Sequence, residues 1–270
     1  MFNDITLGQY FEADSALHRL DPRTKILLTI VYMVAVFLVD TLFAYAVLAV
    51  FLFVVIRLSK VPVGKVLRSV KPLLFILVFT FILNLFFTRS GDVLFAWGII
   101  AITTGGVRQS VFLALRLLFL VMGTSIMTLT TSPIAMTDGL EQLFSPLKVI
   151  RFPAHEMAMM MSIALRMIPT LLDEANKTTK AQMARGADFE SGHLLARARA
   201  MIPVLVPLFV SAFRRADELA LAMESRCYHG GEGRTRMQVL HFGRGDALAA
   251  AVMLLLIATL LVLRRFPIGW

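Results

Sequence analysis

The sequence predicts an all-α integral membrane protein, on three observations. Apolar residues fill 58% of the 270 positions and charged ones only 17%, outside the usual range of soluble domains. Apolar runs at 26–39, 42–56, 72–87, 110–129 and 247–263 approach the roughly 20 residues that a helix needs to span a bilayer's hydrocarbon core. Between the last two of these runs, residues 132–245 hold 14 of the 27 Lys and Arg residues and carry long apolar stripes of helical period. The expected architecture is about five transmembrane helices, with a cytoplasmic region of long kinked helices between spans 4 and 5.

The first 25 residues include Asp4, Glu12, Asp14, Arg19, Asp21, Arg23 and Lys25 and hold no apolar core of signal-peptide type. A mature, cytoplasmic N-terminus is therefore expected. Residues 26–56 are broken only by Asp40, so they form either one overlong span or two short ones turning at Asp40 and Thr41. The next loop, with Arg57, Lys60, Lys65, Arg68 and Lys71 and no acid, belongs on the N-terminal side of the membrane and against its anionic lipid, which requires two crossings.

The span at 72–87 then leads outward to the loop TRSGD. Residues 93–102 are apolar but only about half a span long, and TTGG follows, so a re-entrant or interfacial piece is expected there. The fourth crossing covers 107–130. The final span exits and leaves Arg264 and Arg265 outside, mildly against the charge rule. Three parts result: an N-terminal membrane domain over 1–131, a cytoplasmic domain over 132–245 and a C-terminal transmembrane helix over 246–270.

The cytoplasmic domain reads as three helices. Thr137 or Asp138 caps a first helix running to about Val149, and Pro153 opens a second that ends at Gly186. A third runs from about His193 to Arg226. In the second, Met157, Met160, Met161, Ala164, Ile168, Leu171, Leu172 and Ala175 form an apolar stripe, after which the chain turns polar in NKTTKAQMARG. The third repeats that gradient from MIPVLVPLFVSAF to RRADELALAMESR. Pro169, and Pro203 with Pro207, mark kinks in the apolar halves. Shifted by 41 positions, Ala175, Ala181 and Arg185 align with Ala216, Ala222 and Arg226, so each helix ends on an arginine between small residues.

Two readings of these ends stand. Each arginine completes its helix, where a cation meets the negative end of the dipole and Gly186 suits the left-handed closing conformation. Alternatively, small neighbours let the tip enter a groove and the guanidinium grips a partner's carboxylate in a bidentate fork. The methionine stripe likewise is either packed core or an adaptable surface that accepts several partners.

Other chemistry is poorly supported. One cysteine, Cys227, excludes an internal disulfide framework, and five dispersed histidines give no metal-ligand spacing. The net charge of +9 follows from the positive-inside bias, so no nucleic-acid partner is expected. GGEGRTR at 230–236 lacks the lysine of a phosphate-binding loop, and no hydrolase or zinc-protease motif occurs. A stand-alone carrier would place paired ionisable groups inside its spans. Here Arg116 is the clear charge within one, and it reads as a snorkelling or helix-packed residue with no obvious membrane acid facing it.

The stretches SALHRLDPRTKILL, MTLTTSPIAMTDGLEQLFSPLK, ALRMIPTLLDEANKTTKAQMARGADF and LALAMESRCYHGGEGRTR are together specific. Over essentially its whole length the chain resembles the transmembrane T component of energy-coupling-factor transporters, bacterial ABC-type importers of vitamins and metal ions. It is closer to the shared type than to the cobalt-dedicated type. The resemblance implies a non-enzymatic coupling subunit of the cytoplasmic membrane. Its tips Ala184, Arg185, Gly186 and Ser225, Arg226, Cys227 would dock into two ATPase subunits, which carry ATP and magnesium, while this chain binds no cofactor. It also implies that the apolar helix faces, including Met157, Met160, Met161, Ala164 and Ile168, hold an interchangeable substrate-binding S component. Ser-Arg-Cys departs from the Ala-Arg-Gly signature that Arg185 occupies intact.

Overall fold

In the computed structural model, the structure describes residues 10–97, 100–150, 152–189, 193–230 and 239–265. The chain forms two compact units. One comprises Gly8–Gly139 and Leu240–Trp270, the other Met1–Leu7 and Leu140–Val239.

In the first unit α1 (Pro22–Phe37) and α2 (Leu42–Ser59) are separate helices. The break falls at Leu38–Thr41, where Thr41 restarts the helix by accepting the amide proton of Ala44 on its hydroxyl. Then come α3 (Val63–Val70), a short 3-10 turn at Lys71–Leu73, α4 (Leu74–Phe87), α5 (Thr104–Thr130) and, from the far end of the chain, α9 (Arg244–Arg265). Among the described residues, four helical runs are long and apolar enough to cross a membrane: Leu42–Ser59, Val63–Phe87, Thr104–Thr130 and Arg244–Arg265. At 16 residues, about 24 Å, α1 falls short of a bilayer core by itself.

The core of this unit lies where α1, α2, α5 and α9 meet, around Tyr32, Val36, Leu48, Leu52, Phe119, Ile126, Met253 and Leu256. Tyr32 and Tyr45 drive their rings into it and satisfy their hydroxyls on the carbonyls of Phe119 (2.9 Å) and Phe112 (3.2 Å). Gly123 faces the Tyr32 ring so closely that a Cβ would collide with it. By contrast α4 buries none of its side chains, and Phe75, Phe79 and Phe87 stand exposed. An apolar helix so little covered suits lipid contact.

Within the stretch read as a re-entrant or interfacial piece, β1 (Val93–Trp97) and β2 (Ile100–Thr103) pair antiparallel. Two other expectations change. The helix expected to start at Thr137 or Asp138 starts earlier, as α6 (Pro133–Phe144), because Ser132 accepts the amide of Ala135 and Pro133 suits a first helical turn. Thr137 lies inside it, donating to the carbonyl of Pro133, and a 3-10 stretch at Ser145–Ile150 replaces the helix expected to reach Val149. Arg116, finally, does face an acid: its Nη2 lies 3.5 Å from Asp40 Oδ1 and donates to the carbonyl of Val39 at 3.0 Å.

The second unit holds α7 (Ala154–Ala184) and α8 (Leu194–Ser225), of 31 and 32 residues. At about 1.5 Å per residue, each is on the order of 46–48 Å long. Near the start of α7, His155 Nδ1 meets Glu141 at 2.8 Å.

Candidate functional site

The two helix ends share one backbone construction. After Ala184, the amide of Gly186 donates to the carbonyl of Met183 at 2.9 Å and that of Ala187 to Gln182 at 3.0 Å. After Ser225, the amide of Cys227 donates to Glu224 at 2.8 Å and that of Tyr228 to Met223 at 3.1 Å. Both pairs form the Schellman closure, which needs a left-handed residue just past the cap. Gly186 supplies it at φ 89° and Cys227 at φ 55°. Ser-Arg-Cys thus builds the same end as Ala-Arg-Gly, although cysteine lacks glycine's conformational freedom.

The closure fixes the arginines. Arg185 (φ −87°, ψ 6°) and Arg226 (φ −94°, ψ 14°) occupy the cap position in nearly one conformation, and both are exposed. Ala184, Gly186, Ser225 and Cys227 beside them are exposed too, and a Cβ at Gly186 would meet nothing within 4 Å. Each tip is a blunt end of small residues carrying one guanidinium, with five donors suited to a carboxylate.

Behind the tips α7 and α8 run antiparallel, since Glu174 meets Arg215 (2.8 Å) while Gln182 Nε2 reaches the carbonyl of Pro203 (3.4 Å). A hydrogen bond from Ser211 and the charge of Arg215 hold the Glu174 carboxyl below its ordinary range. The buried positions of α7 are Ala154, Ala158, Ala175 and Thr179. Met157 (45%), Met160 (59%) and Met161 (56%) are exposed instead, as is Ala164, with Ile168 half-buried. The methionine end of the stripe is exposed in this chain, while its far end reaches the buried Ala175. On α8 the apolar half likewise exposes Val206, Phe209, Val210 and Phe213.

Residues 13–238 match the model of a family described as cobalt transport protein. The chain is 54% identical over 264 residues to the energy-coupling factor transporter transmembrane protein EcfT of Acidaminococcus fermentans, covering 98% of each chain. It is 53% identical to the protein of the same name from Thermosediminibacter oceani, over 97% of this chain and 98% of that one. With the Bacillus subtilis protein, again so named, it shares 45% identity over 98% and 100% of the two chains.

The chain belongs to the family of energy-coupling-factor T components. As such it is a multi-pass membrane subunit of a transporter, in keeping with its four long apolar helices. The stretches that marked the resemblance fall on the turn into α1, on the passage from the end of α5 through α6, on α7 and on the two Schellman ends.

That turn holds a network which the reading of the sequence did not assign. Asp21 caps α1, pairs with Arg23 (2.8 Å) and donates its own amide to Asp246 Oδ1 at 2.9 Å. The other oxygen of Asp246 accepts the amide of Gly243 at 2.7 Å. Arg23 reaches on to the carbonyl of Leu240 and stacks over the Phe242 ring at 4.0 Å. Lys25 donates to the carbonyls of Thr130 (2.9 Å) and His18 (3.2 Å). The residues that lead the chain out of the bundle near Thr130, and back into it at Leu240, are therefore fastened to one helix start. The long-range members of this network lie 105 positions from Lys25, at Thr130, and 225 from Asp21, at Asp246.

Proposed function

We propose that this T component transmits ATP-driven motion from two ATPase subunits to a membrane-embedded S component that carries a vitamin or another micronutrient. The observation that carries the reading is the pair of matched ends: two exposed arginines, each held at a helix cap by the same closure. Two like sockets on two ATPase subunits would be a natural complement, each offering a carboxylate to Arg185 or Arg226 within a groove that admits Ala184 and Gly186, or Ser225 and Cys227.

The chain itself is a non-catalytic subunit in this reading, binds no cofactor, and leaves ATP and magnesium to its partners. The exposed face of Met157, Met160, Met161, Ala164 and Ile168 meets the S component, and methionine's adaptable packing allows several S components to exchange there. The N-terminus and residues 132–245 lie on the cytoplasmic side of the bacterial inner membrane. Coupling requires that the tips make different contacts in the two nucleotide states of the ATPases, since only differential binding shifts a conformational equilibrium.

A photo-crosslinker placed at Ala184 or at Cys227, in the chain co-expressed with its ATPase pair, tests the docking. Each position is expected to trap an ATPase subunit in the assembled complex. Crosslinks only to lipid or to the chain itself would contradict it.

The family model's description favours a second reading, a T component dedicated to cobalt or nickel. Purification from its host would then yield one fixed S component rather than several.

A further inference from the structure

Asp40 in the break between α1 and α2, the loop residue Ser90 and the first half of α5 line an open cavity of about 450 Å³, together with Gly105, Arg108, Gln109, Phe112 and Arg116. It lies at the opposite end of α1 from Asp21 and is separate from the helix tips. Its charges are unevenly matched. The single acid among its lining residues, Asp40, is shared between two arginines: Arg116 at 3.5 Å and, from the end of α9, Arg264 at 3.7 Å. Neither distance is the 2.7–2.9 Å of a committed charge-assisted hydrogen bond. The buried Nε of Arg116 makes no hydrogen bond. Arg108 lies over the Phe112 ring at 5.2 Å and is exposed. Buried donors are nearly always satisfied, so an unmet guanidinium N–H at a positively biased cavity marks a place for an anion.

The surroundings select the anion. Phe112 and Leu113 form part of the wall, and Phe37 (59% exposed), under the Arg116 guanidinium at 5.7 Å, stands at the same helix break with Leu42 (58%) and Phe43 (54%). A free phosphate would have no use for these exposed apolar side chains. A lipid would lay its chains along them while its phosphate met the arginines. We propose that this cavity binds the phosphodiester headgroup of an anionic membrane phospholipid, with Arg108 and Arg116 as its ligands and Asp40 as the competing carboxylate.

Native mass spectrometry of the full chain, delipidated in detergent and titrated with phosphatidylglycerol or phosphatidylcholine, tests this. The wild type is expected to bind its first phosphatidylglycerol at least tenfold more tightly than phosphatidylcholine. Arg108→Gln and Arg116→Gln should each cut that preference to about twofold or less, and Asp40→Asn should raise it. Because Arg116 also braces Val39, Arg108→Gln decides the matter if Arg116→Gln does not fold. An unchanged preference in Arg108→Gln, or no preference in the wild type, overturns the site. Full displacement of the lipid by millimolar inorganic phosphate would overturn the lipid assignment and leave a soluble anion as the ligand.

Discussion

Glu174 on α7 and Arg215 on α8 form an ion pair at 2.8 Å, and each stands eleven positions before the arginine that ends its own helix, from 174 to 185 and from 215 to 226. The two residues also occupy equivalent positions of the 41-residue repeat. The ion pair therefore ties the helices at matching positions, each about 16 Å along its helix from the tip. The pair is about one-third exposed, so its contribution to stability is modest, about 1 kcal/mol or less. A double-mutant cycle on Glu174→Gln and Arg215→Gln should return a coupling of that size, while ATPase-linked transport falls several-fold with assembly intact.

The same pair sets a pH dependence. Glu174 is held below its ordinary value of 4.5 by Ser211 first and by Arg215. A depressed carboxylate contributes stability that is fully present above its unfolded value and is lost as pH falls through the folded one. Thermal unfolding between pH 7 and pH 3 should show wild type losing its advantage over Glu174→Gln only below about pH 4.5. An advantage that did not begin to fall below pH 4.5 would place the stabilisation elsewhere.

At the tips, the left-handed positions make opposite predictions. Gly186→Ala should cost about 1 kcal/mol, because a side chain at φ 89° is strained even in open space. Cys227→Gly removes such strain at φ 55° and should raise stability by about 0.5 kcal/mol without weakening ATPase binding. Melting temperature and co-purification measure the two effects separately.

Asp246→Ala leaves the amides of Asp21 and Gly243 without their acceptor and removes a charge near Arg23. A loss of about 1–3 kcal/mol is expected for a buried site of this kind, read as an earlier thermal transition in detergent. Asp246→Asn, which keeps an acceptor oxygen, should lose less.

Replacing Met157, Met160 and Met161 together by leucine keeps the exposed face apolar but stiffens it. Competition among different S components for the complex should become more selective, and unchanged exchange would sink the promiscuity of this face.

Much of the frame was readable because local signals agreed with one another. The ends of α7 and α8 fall where the apolar stripe, the charged tail and a small residue after arginine all point to a stop. The break at Asp40 was legible from loop charge and length. The start of α6 was misplaced because Thr137 and Asp138 were preferred to Ser132 before Pro133, the stronger capping pair. The hairpin at Val93–Trp97 and Ile100–Thr103 was obscured because apolar length was weighed above the β-prone Val, Ile and Thr of those strands. Arg116 with Asp40, and Asp21 with Asp246, could not be read at all. Those pairs are made by helix packing across 76 and 225 positions, and no periodicity encodes it.

The central claim is that Arg185 and Arg226 are the joints through which the ATPases drive transport. Purification with the ATPase pair, followed by assays of assembly and substrate-linked ATP hydrolysis, should show partial loss for Arg185→Ala or Arg226→Ala and near-complete loss for the double substitution, in protein that still inserts and folds. Wild-type assembly and coupling in the double variant would contradict the claim and leave the two arginines as ordinary helix caps.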